Sequence, residues 1–531
     1  MAKRKREVAD GAQTAKALKS RKEELASRPK PTAASKRKEA AAANGEAAAA
    51  VNGESAVNGQ AVAGSAAARE GNGDTTTFQI ITGSYERVLH GFTAAIPHSL
   101  ITGPDSTTDE DQPKIAFSDT FLFNAHASAI RCLALSPPSS EASKVLLATG
   151  STDERINIYS LSKSPPVPSK TKPILPSLHG NSITENSKNK EMGSLLHHSS
   201  SVTALCFPIR SKLLSASEDS TIAITRTRDW EPLSTIKAPI PKAQGRPSGD
   251  TAAPGEVPSG INDFAIHPSM KLMVSVSKGE KCMRLWNLIT GKKAGVLNFG
   301  KDILASVGEG RFASGEGKNV VWDATGVEFA VAFERGAVVF DMDCRPKAKV
   351  LPSPRTKVHQ MCYLQSEEHA ATLMVATEDG RIMLYDTNST TAPSADNAKD
   401  DDIPSCNLIA QIGGPAAGIT GRVKEFEVLP LSDEAGSGLF LIIAGSSDGA
   451  VRLWRLDAKD LLAAAGVEKG KGFTAKQVGR LLGTYSTGTR ITCLKAFEMT
   501  GKPDEAEEDD DEAEVVANEK SDGSSSDEES E

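Results

Sequence analysis

Three stretches of the sequence contain residue types found in catalytic or phosphate-binding motifs. Gly445-Ser-Ser-Asp-Gly449 has the spelling of a nucleophile elbow, in which the serine hydroxyl attacks a carbonyl carbon. Gly315-Glu-Gly-Lys318 is similar to part of a phosphate loop, and Gly308-Glu-Gly310 is similar to a dinucleotide-binding turn. All three motifs need a strand followed by a helix. The residues around Gly445 instead have the pattern of a turn between two strands, so we predict no catalytic residue and no enzyme.

The histidines and cysteines predict no metal or cofactor site. The nine histidines include the pair His197-His198, but no His, Cys and acid cluster has the spacing of zinc ligands. The seven cysteines form no Cys-x-x-Cys pair, and those in apolar strands, such as Cys206 and Cys493, have the character of small buried hydrophobes. Unpaired cysteines are typical of a reduced compartment. No apolar run is long enough for a membrane span or secretory signal. We therefore expect no cofactor, no small-molecule substrate and no membrane partner.

A repeated spacing of acidic and aromatic residues indicates the architecture. An acid is followed six positions later by an aromatic residue in six places and by threonine in a seventh, although aromatic residues make up only 5% of the chain. Apolar residues lie at +3 and +5 in most copies, which is the spacing of a strand with one buried face. Gly, Ser and Asp near the acid predict a tight turn. The copies are Glu86/Phe92, Asp153/Tyr159, Asp219/Thr225, Glu280/Trp286, Glu334/Phe340, Asp379/Tyr385 and Asp448/Trp454.

The segments ahead of two acids extend this pattern to a known repeat. His126 precedes the apolar run 130–135, and His198 precedes the run 202–207. This order of features resembles the WD repeat family: a histidine, a strand, a turn that carries an acid, and a second strand that ends in an aromatic residue. The resemblance implies a β-propeller in which histidine, strand hydroxyl, turn acid and tryptophan form a buried network. On that basis one network would contain His126, Ser151, Asp153 and Tyr159, with tyrosine replacing tryptophan.

The spacing of the copies predicts an all-β, seven-bladed WD-repeat β-propeller over residues 78–499. Most intervals between the acids exceed the roughly 40–45 residues of one blade, so we expect surface insertions near 162–194, 238–260 and 387–418. The first copy lacks a leading strand, and the strand-like run 490–497 lacks a blade. We therefore expect the two ends of the chain to share one blade, which would leave no open edge.

Strongly charged tails are predicted on both sides of the propeller. Residues 1–38 hold thirteen Lys/Arg and four Asp/Glu, a net charge of +9, and the low-complexity stretch that completes residues 1–77 is expected to be disordered. Its basic clusters are candidates for a nuclear localisation signal or a nucleic-acid patch, the alternative being a solubilising tail. The candidate localisation residues are Lys3, Arg4, Lys5, Arg6, Lys36, Arg37 and Lys38.

The C-terminal tail, predicted to be disordered over residues 500–531, is acidic. Residues 503–531 hold fifteen Asp/Glu and one Lys, a net charge of −14. Ser524, Ser525 and Ser526 each have an acid three residues later, which makes them candidate phosphosites for acidophilic kinases. An unmodified acidic spacer is the alternative.

Three basic residues form a candidate binding patch. The residue just before the innermost strand of a blade is Lys357, Arg422 or Arg490 in three successive blades. Adjacent blades would place these cations side by side on one face, where they could contact RNA phosphates or another partner. Isolated solvated charges are the alternative interpretation.

A narrower resemblance bears on function. The stretches 83–92, 153–159, 196–206, 422–424 and 446–449 are similar in text and order to the nucleolar family of the fungal maintenance-of-killer WD protein and the animal PAK-interacting protein. The Pro/Gly-rich stretch 238–260 departs from that pattern, because a blade histidine would be expected there.

This resemblance implies a non-catalytic nucleolar scaffold for 60S large ribosomal subunit biogenesis and rRNA processing. Its partners would be pre-60S ribosomal proteins, assembly factors and rRNA, and in animals a p21-activated kinase that it restrains. Two alternatives remain open. One is a chromatin or histone-binding adaptor, which would also use nuclear import and an acidic tail, and the other is a negative regulator of the kinase.

Overall fold

The structure is a computed structural model that describes eleven segments of the chain. The described residues are 75–103, 114–139, 142–166, 175–176, 182–240, 259–310, 313–366, 369–392, 402–431, 438–465 and 475–501. The candidate localisation residues Lys3 to Lys38 and the candidate phosphosites Ser524 to Ser526 lie outside them. None of the described helices is long and apolar enough to cross a membrane.

Strands dominate the described residues. The strands of the first half are β1 (Thr75–Ser84), β2 (Val88–Pro97), β3 (Ala116–Asn124), β4 (Ile130–Leu135), β5 (Lys144–Ser151), β6 (Ile156–Ser162), β7 (Leu175–Pro176), β8 (Ser182–Ile183), β9 (Lys190–Leu195), β10 (Val202–Ile209), β11 (Lys212–Ser217), β12 (Thr221–Arg226), β13 (Pro232–Lys237), β14 (Ile261–Ile266) and β15 (Leu272–Ser277). Those of the second half are β16 (Cys282–Asn287), β17 (Lys292–Asn298), β18 (Asn319–Trp322), β19 (Glu328–Ala332), β20 (Ala337–Asp341), β21 (Pro346–Val350), β22 (Val358–Tyr363), β23 (Thr372–Thr377), β24 (Arg381–Thr391), β25 (Ser405–Gly413), β26 (Val423–Pro430), β27 (Leu439–Ser446), β28 (Ala450–Asp457), β29 (Arg480–Ser486) and β30 (Ile491–Glu498). The helices are α1 (His98–Thr102), α2 (Lys301–Ser306) and α3 (Ala458–Ala465), with a 3-10 turn at Pro415–Ala417.

The strands pair into antiparallel units of four. In the order of pairing these are β30-β1-β2-β3, β4-β5-β6-β9, β10-β11-β12-β13, β14-β15-β16-β17, β18-β19-β20-β21, β22-β23-β24-β25 and β26-β27-β28-β29, called the first to the seventh unit below. Short parallel bridges extend two of the sheets. Lys349 pairs with Ser405 between the fifth and sixth units, and Asp119 pairs with Ile183 at the edge of the first.

The first strands of the seven units contact one another in cyclic order, β30, β4, β10, β14, β18, β22 and β26, and β26 contacts β30 again. Strands arranged in this way line the central channel of a β-propeller. The first unit combines both ends of the described chain, because β30 pairs with β1 from Phe78↔Glu498 to Ser84↔Ile491. The strand predicted from residues 490–497 is therefore the inner strand of the unit that begins with β1.

The hydrophobic core lies between neighbouring units. Phe92 of β2 and Leu441 of β27 are both fully buried in one cluster, which joins the first and seventh units. Similarly, Trp286 of β16 packs in one cluster with Leu214 of β11, from the third unit. Alternating apolar residues on each strand make this packing possible, because a strand exposes successive side chains on opposite faces of its sheet.

The outer strands account for the differences from the predicted boundaries. The predicted insertions 162–194 and 387–418 contain β9 and β25, the outermost strands of the second and sixth units. The first five residues of β9 are exposed, so they lack the apolar alternation from which a strand is recognised. The strand β1 includes Thr75, the first of the described residues. Residues 241–258, most of the third predicted insertion, lie outside the described segments.

Candidate binding site at the rim of the channel

The turn acid of the second unit lies in a buried hydrogen-bonded network. Nδ1 of His126 is 3.1 Å from Oδ2 of Asp153, and Nε2 is 2.7 Å from Oγ1 of Thr149. Thr149, rather than the predicted Ser151, is therefore the hydroxyl that contacts the histidine. Thr149 and Ser151 are two positions apart in β5, so their side chains lie on the same face of the sheet. Ser151, however, donates its hydroxyl hydrogen to the carbonyl of Ala129. Burial lowers the pKa of His126 more than Asp153 raises it.

The third and fourth units contain related contacts. Nε2 of His198 is 2.8 Å from Oγ of Ser215, and its Nδ1 is 3.1 Å from Oδ2 of Asp219. In the fourth unit Nε1 of Trp286 donates to Oγ of Ser275 at 2.8 Å. These polar groups are buried and form hydrogen bonds with one another, so they stabilise the turns and are not available to react with a substrate.

Arginine takes the place of histidine in three units, a substitution that sequence reasoning missed. Arg381, which is fully buried, donates from Nε to Oδ2 of Asp379 at 3.0 Å. The other two pairs, four residues apart, are Glu280 with Arg284 and Asp448 with Arg452. A strand arginine two or four positions after the turn acid is the sequence signal that identifies them.

The stretches with catalytic spelling have other structural roles. Gly445 lies in β27 and Gly449 in the turn that leads into β28, so this stretch joins two strands and no helix follows. Gly449 has a φ of 84°, and a Cβ there would lie 2.7 Å from the carbonyl oxygen of Thr489, which explains the glycine. Gly315 and Lys318 directly precede strand β18 rather than a helix. Among the described residues no group of three His, Cys, Asp or Glu side chains could hold a metal ion.

The three predicted patch residues lie at equivalent positions in adjacent units. Lys357, Arg422 and Arg490 each directly precede an innermost strand, β22, β26 and β30 respectively. These strands are consecutive around the channel, because β22 contacts β26 and β26 contacts β30. All three side chains are exposed. We call this set the cation rim.

Each member of the cation rim has a neighbour of its own. Nζ of Lys357 is 2.9 Å from a carboxylate oxygen of Glu334, and Nε of Arg422 is 3.2 Å from one of Glu378. These ion pairs are between about one third and one half exposed, so each contributes at most about 1 kcal/mol to stability. The guanidinium of Arg490 lies 5.5 Å from the ring centroid of Tyr85. The cation rim is thus partly neutralised by acids of the preceding units.

Tyr85 is the most exposed aromatic residue near the cation rim. Its side chain is 61% exposed, although a large apolar ring gains free energy by burial. The adjacent Glu86 accepts a hydrogen bond from the backbone N–H of Arg490 at 2.9 Å, which fixes the turn against the start of β30. An exposed ring beside an arginine is a suitable contact for a peptide or a nucleotide base.

Two further residues below the cation rim were not predicted. His359 and Lys424 are the second residues of β22 and β26, and both are half-buried. We call them the recessed pair. Burial lowers the pKa of Lys424, and the charges of Arg422 and Arg490 lower it further. Burial also lowers the pKa of His359 to about 4, with Lys424 as the next cause.

Deeper in the channel the charges compensate one another. Nζ of Lys495 lies 3.1 Å from Glu425 and 2.7 Å from Glu427. Burial alone would lower the pKa of Lys495, but the carboxylates of Glu427 and Glu425 raise it above its ordinary value. Asp263 accepts a hydrogen bond from the N–H of Val320 at 2.9 Å, and burial raises its pKa to about 7. Lys424 of the recessed pair, in contrast, forms no such ion pair within the described segments.

Comparison with known proteins agrees with this architecture. The family described as WD domain, G-beta repeat matches residues 117–160 and 189–225. The first match begins in β3 and ends in β6, so one sequence repeat supplies the outer strand of one unit and three strands of the next. The chain therefore contains WD40 repeats in these residues and has an all-β fold.

The similarity to individual proteins extends over most of the chain. Protein MAK11 of Saccharomyces cerevisiae is 27% identical over 444 residues, which cover 80% of this chain and 83% of the yeast protein. The p21-activated protein kinase-interacting protein 1-like of Xenopus laevis is 25% identical, covering 80% and 83% of the two chains. The human p21-activated protein kinase-interacting protein 1 is 23% identical, covering 78% and 76%.

Proposed function

We propose that this protein is a non-catalytic nucleolar scaffold that docks pre-ribosomal proteins and rRNA during assembly of the 60S subunit. The observation that carries the proposal is the similarity to Protein MAK11 over 80% of the chain. The resemblance of the sequence stretches to the nucleolar family, which implies large-subunit assembly, supports it. A propeller built from buried, mutually satisfied turn networks is a rigid platform rather than a reactive site.

The charge distribution supports a docking role. The cation rim and the exposed ring of Tyr85 form a polar and aromatic surface at one mouth of the channel. The basic segment with Lys3–Arg6 and Lys36–Lys38 supplies a nuclear import signal in this proposal, and the acidic segment 503–531 attracts basic ribosomal partners.

Affinity purification of the tagged full-length chain from its native cells, followed by identification of RNA and protein, tests the proposal. We expect precursors of the large-subunit rRNA with ribosomal proteins and assembly factors. Recovery of histones without rRNA precursors would refute it and favour the chromatin adaptor. Fluorescence microscopy of the same tagged chain is expected to place it in the nucleolus, and alanine at Lys3–Arg6 and Lys36–Lys38 should reduce nuclear entry.

A charge-reversed variant tests the contribution of the cation rim. Glutamate at Lys357, Arg422 and Arg490 should reduce particle recovery, because each substitution removes a phosphate contact and reverses the charge. For single-stranded RNA, each lost contact also lowers the salt slope of binding by about 0.7. The matched control reverses Lys271, Lys292 and Lys293, three exposed lysines of the fourth unit. Equal particle recovery by both variants would exclude the cation rim as a contact.

Restraint of a p21-activated kinase is a second candidate function. The frog and human relatives are both named as proteins that interact with this kinase. If the function applies, the purified full-length chain should bind a recombinant p21-activated kinase and reduce its activity. Absence of binding at micromolar concentrations would exclude this function while leaving the assembly role unaffected.

A further inference from the structure

The recessed pair, His359 and Lys424, holds polar groups that no described residue satisfies. Nε2 of His359 is buried without a hydrogen-bond partner. Nζ of Lys424 has no ion pair with a carboxylate in the described segments. Buried polar groups in folded proteins are nearly always paired, so the unpartnered ring nitrogen of His359, on a strand that contacts the strand of Lys424, indicates a site for a ligand.

The surroundings of the recessed pair select an anion. Lys424 and His359 lie on the contacting strands β26 and β22. The charges of Arg422, Arg490 and Lys357 all lower the pKa of Lys424, and the carboxylate of Glu378 acts in the opposite direction. Lys424 and these three cations outnumber the nearby carboxylates of Glu334 and Glu378. The excess leaves a positive potential in a half-buried place, where electrostatic interactions are stronger than at the open surface.

We propose that the recessed pair binds the carboxylate of an aspartate or glutamate side chain that a protein partner inserts into the mouth of the channel. This inference rests on the proposed docking function and specifies the chemistry of one contact. Lys424 would donate a charge-assisted hydrogen bond to the carboxylate. His359 is neutral near pH 7, because burial lowers its pKa to about 4, and would donate its Nε2 hydrogen.

The geometry favours an acidic side chain over an RNA strand. Lys357 and Arg422 already hold the carboxylates of Glu334 and Glu378 at the outer edge. A phosphodiester strand that contacts the cation rim would stay at this outer edge, since its charges are fixed between bulky riboses. A carboxylate at the end of a thin, flexible stem can pass this edge and reach Lys424.

Binding of two labelled probes to the full-length chain tests the inference. The probes are a glutamate-rich peptide and an oligouridylate of equal net charge, and affinities are measured by fluorescence anisotropy across a range of salt concentrations. We expect the peptide to bind and Lys424→Gln to weaken it about tenfold, the effect of losing one hydrogen bond to a charged group. His359→Phe should weaken it several-fold, and Lys424→Arg should restore most of the affinity.

Lys271→Gln is the matched control, because it removes the same charge from an exposed turn of the fourth unit. Equal peptide affinity of the wild-type, Lys424→Gln and Lys271→Gln chains would overturn the inference. So would an oligouridylate that binds more tightly than the peptide and depends on Lys424.

Recovery of pre-ribosomal particles is measured with the wild-type chain in parallel. Particle recovery without any effect of Lys424→Gln on peptide affinity would overturn this inference alone. Peptide binding that depends on Lys424, with no particles recovered, would support the site and overturn the proposed assembly role alone.

Discussion

Replacing Tyr485 by phenylalanine should weaken the joint between the first and seventh units. Tyr485 lies in β29 of the seventh unit and donates its hydroxyl hydrogen to Oδ1 of Asp119 in β3 of the first. Nε2 of His90 lies 2.8 Å from the same carboxylate oxygen, and all three residues are buried. Burial and the contact with Asp119 raise the pKa of Tyr485, so its hydroxyl remains a donor.

The expected loss follows from what phenylalanine keeps and what it removes. The ring of Tyr485 stacks on Phe92 with centroids 4.2 Å apart and contacts Phe117 at 5.2 Å. Phenylalanine preserves this packing and deletes one hydrogen bond to a buried carboxylate. Such a deletion costs about 1.5–3 kcal/mol, so we expect about 2 kcal/mol less free energy of unfolding.

Urea unfolding followed by tryptophan fluorescence measures this loss as a lower midpoint at an unchanged slope. Tyr85→Phe is the control, because that side chain is 61% exposed and its ring contact with Arg490 survives the change. Tyr485→Ala should cost more than Tyr485→Phe, since it also removes the stacked ring. A loss below about 0.5 kcal/mol for Tyr485→Phe would show that the carboxylate finds another donor, and would refute the reasoning.

Three further substitutions test the assigned interactions by urea unfolding. The lowered pKa of His359, about 4 against 6.5 in the unfolded chain, means that protons bind the unfolded state more tightly, so stability is lost as pH falls from 6.5 to 4. His359→Gln should reduce this dependence by up to about 1 kcal/mol per pH unit, and an unchanged profile would contradict the assignment. The raised pKa of Asp263, about 7, has the opposite sign, because stability is lost as pH rises from 3.8 to 7. Asp263→Asn should therefore gain about 1–2 kcal/mol at pH 8 and little at pH 4, a gain kept small because the amide oxygen accepts the hydrogen bonds from Val320 and Asn319 less strongly than the carboxylate. Thr149→Ala leaves Nε2 of His126 unsatisfied and should cost about 1–3 kcal/mol, and Thr149→Ser should recover most of it.

The fold class was readable from local chemistry. Apolar alternation after a turn acid determines a strand and its buried face wherever one side of the sheet is covered, as at Ile156 and Ile158. The recurrence of that pattern predicted the inner and middle strands, including the pairing partner of β1 at the far end of the chain. The outer strand β9 escaped prediction because its first five residues are exposed and carry no such pattern. The outer strand β25 is largely buried, but it lies in a stretch that was assigned to an insertion.

The candidate site was only partly readable. The equivalent positions of Lys357, Arg422 and Arg490 followed from the repeat, and the structure places them at the starts of adjacent inner strands. Their carboxylate partners did not follow, because Glu334 and Glu378 belong to the turns of preceding units.

The repeating unit, the turn acids and the charge of the two tails could be predicted, because each depends on residue types close together in the chain. Which polar groups meet depends instead on how the sheets pack. Tyr485 and Asp119 are 366 residues apart, and His359 and Lys424 lie on separate strands that the ring brings together. Hydrogen bonds and charge interactions act over a few ångströms of space, and separation along the chain does not reveal that distance until the sheets are packed.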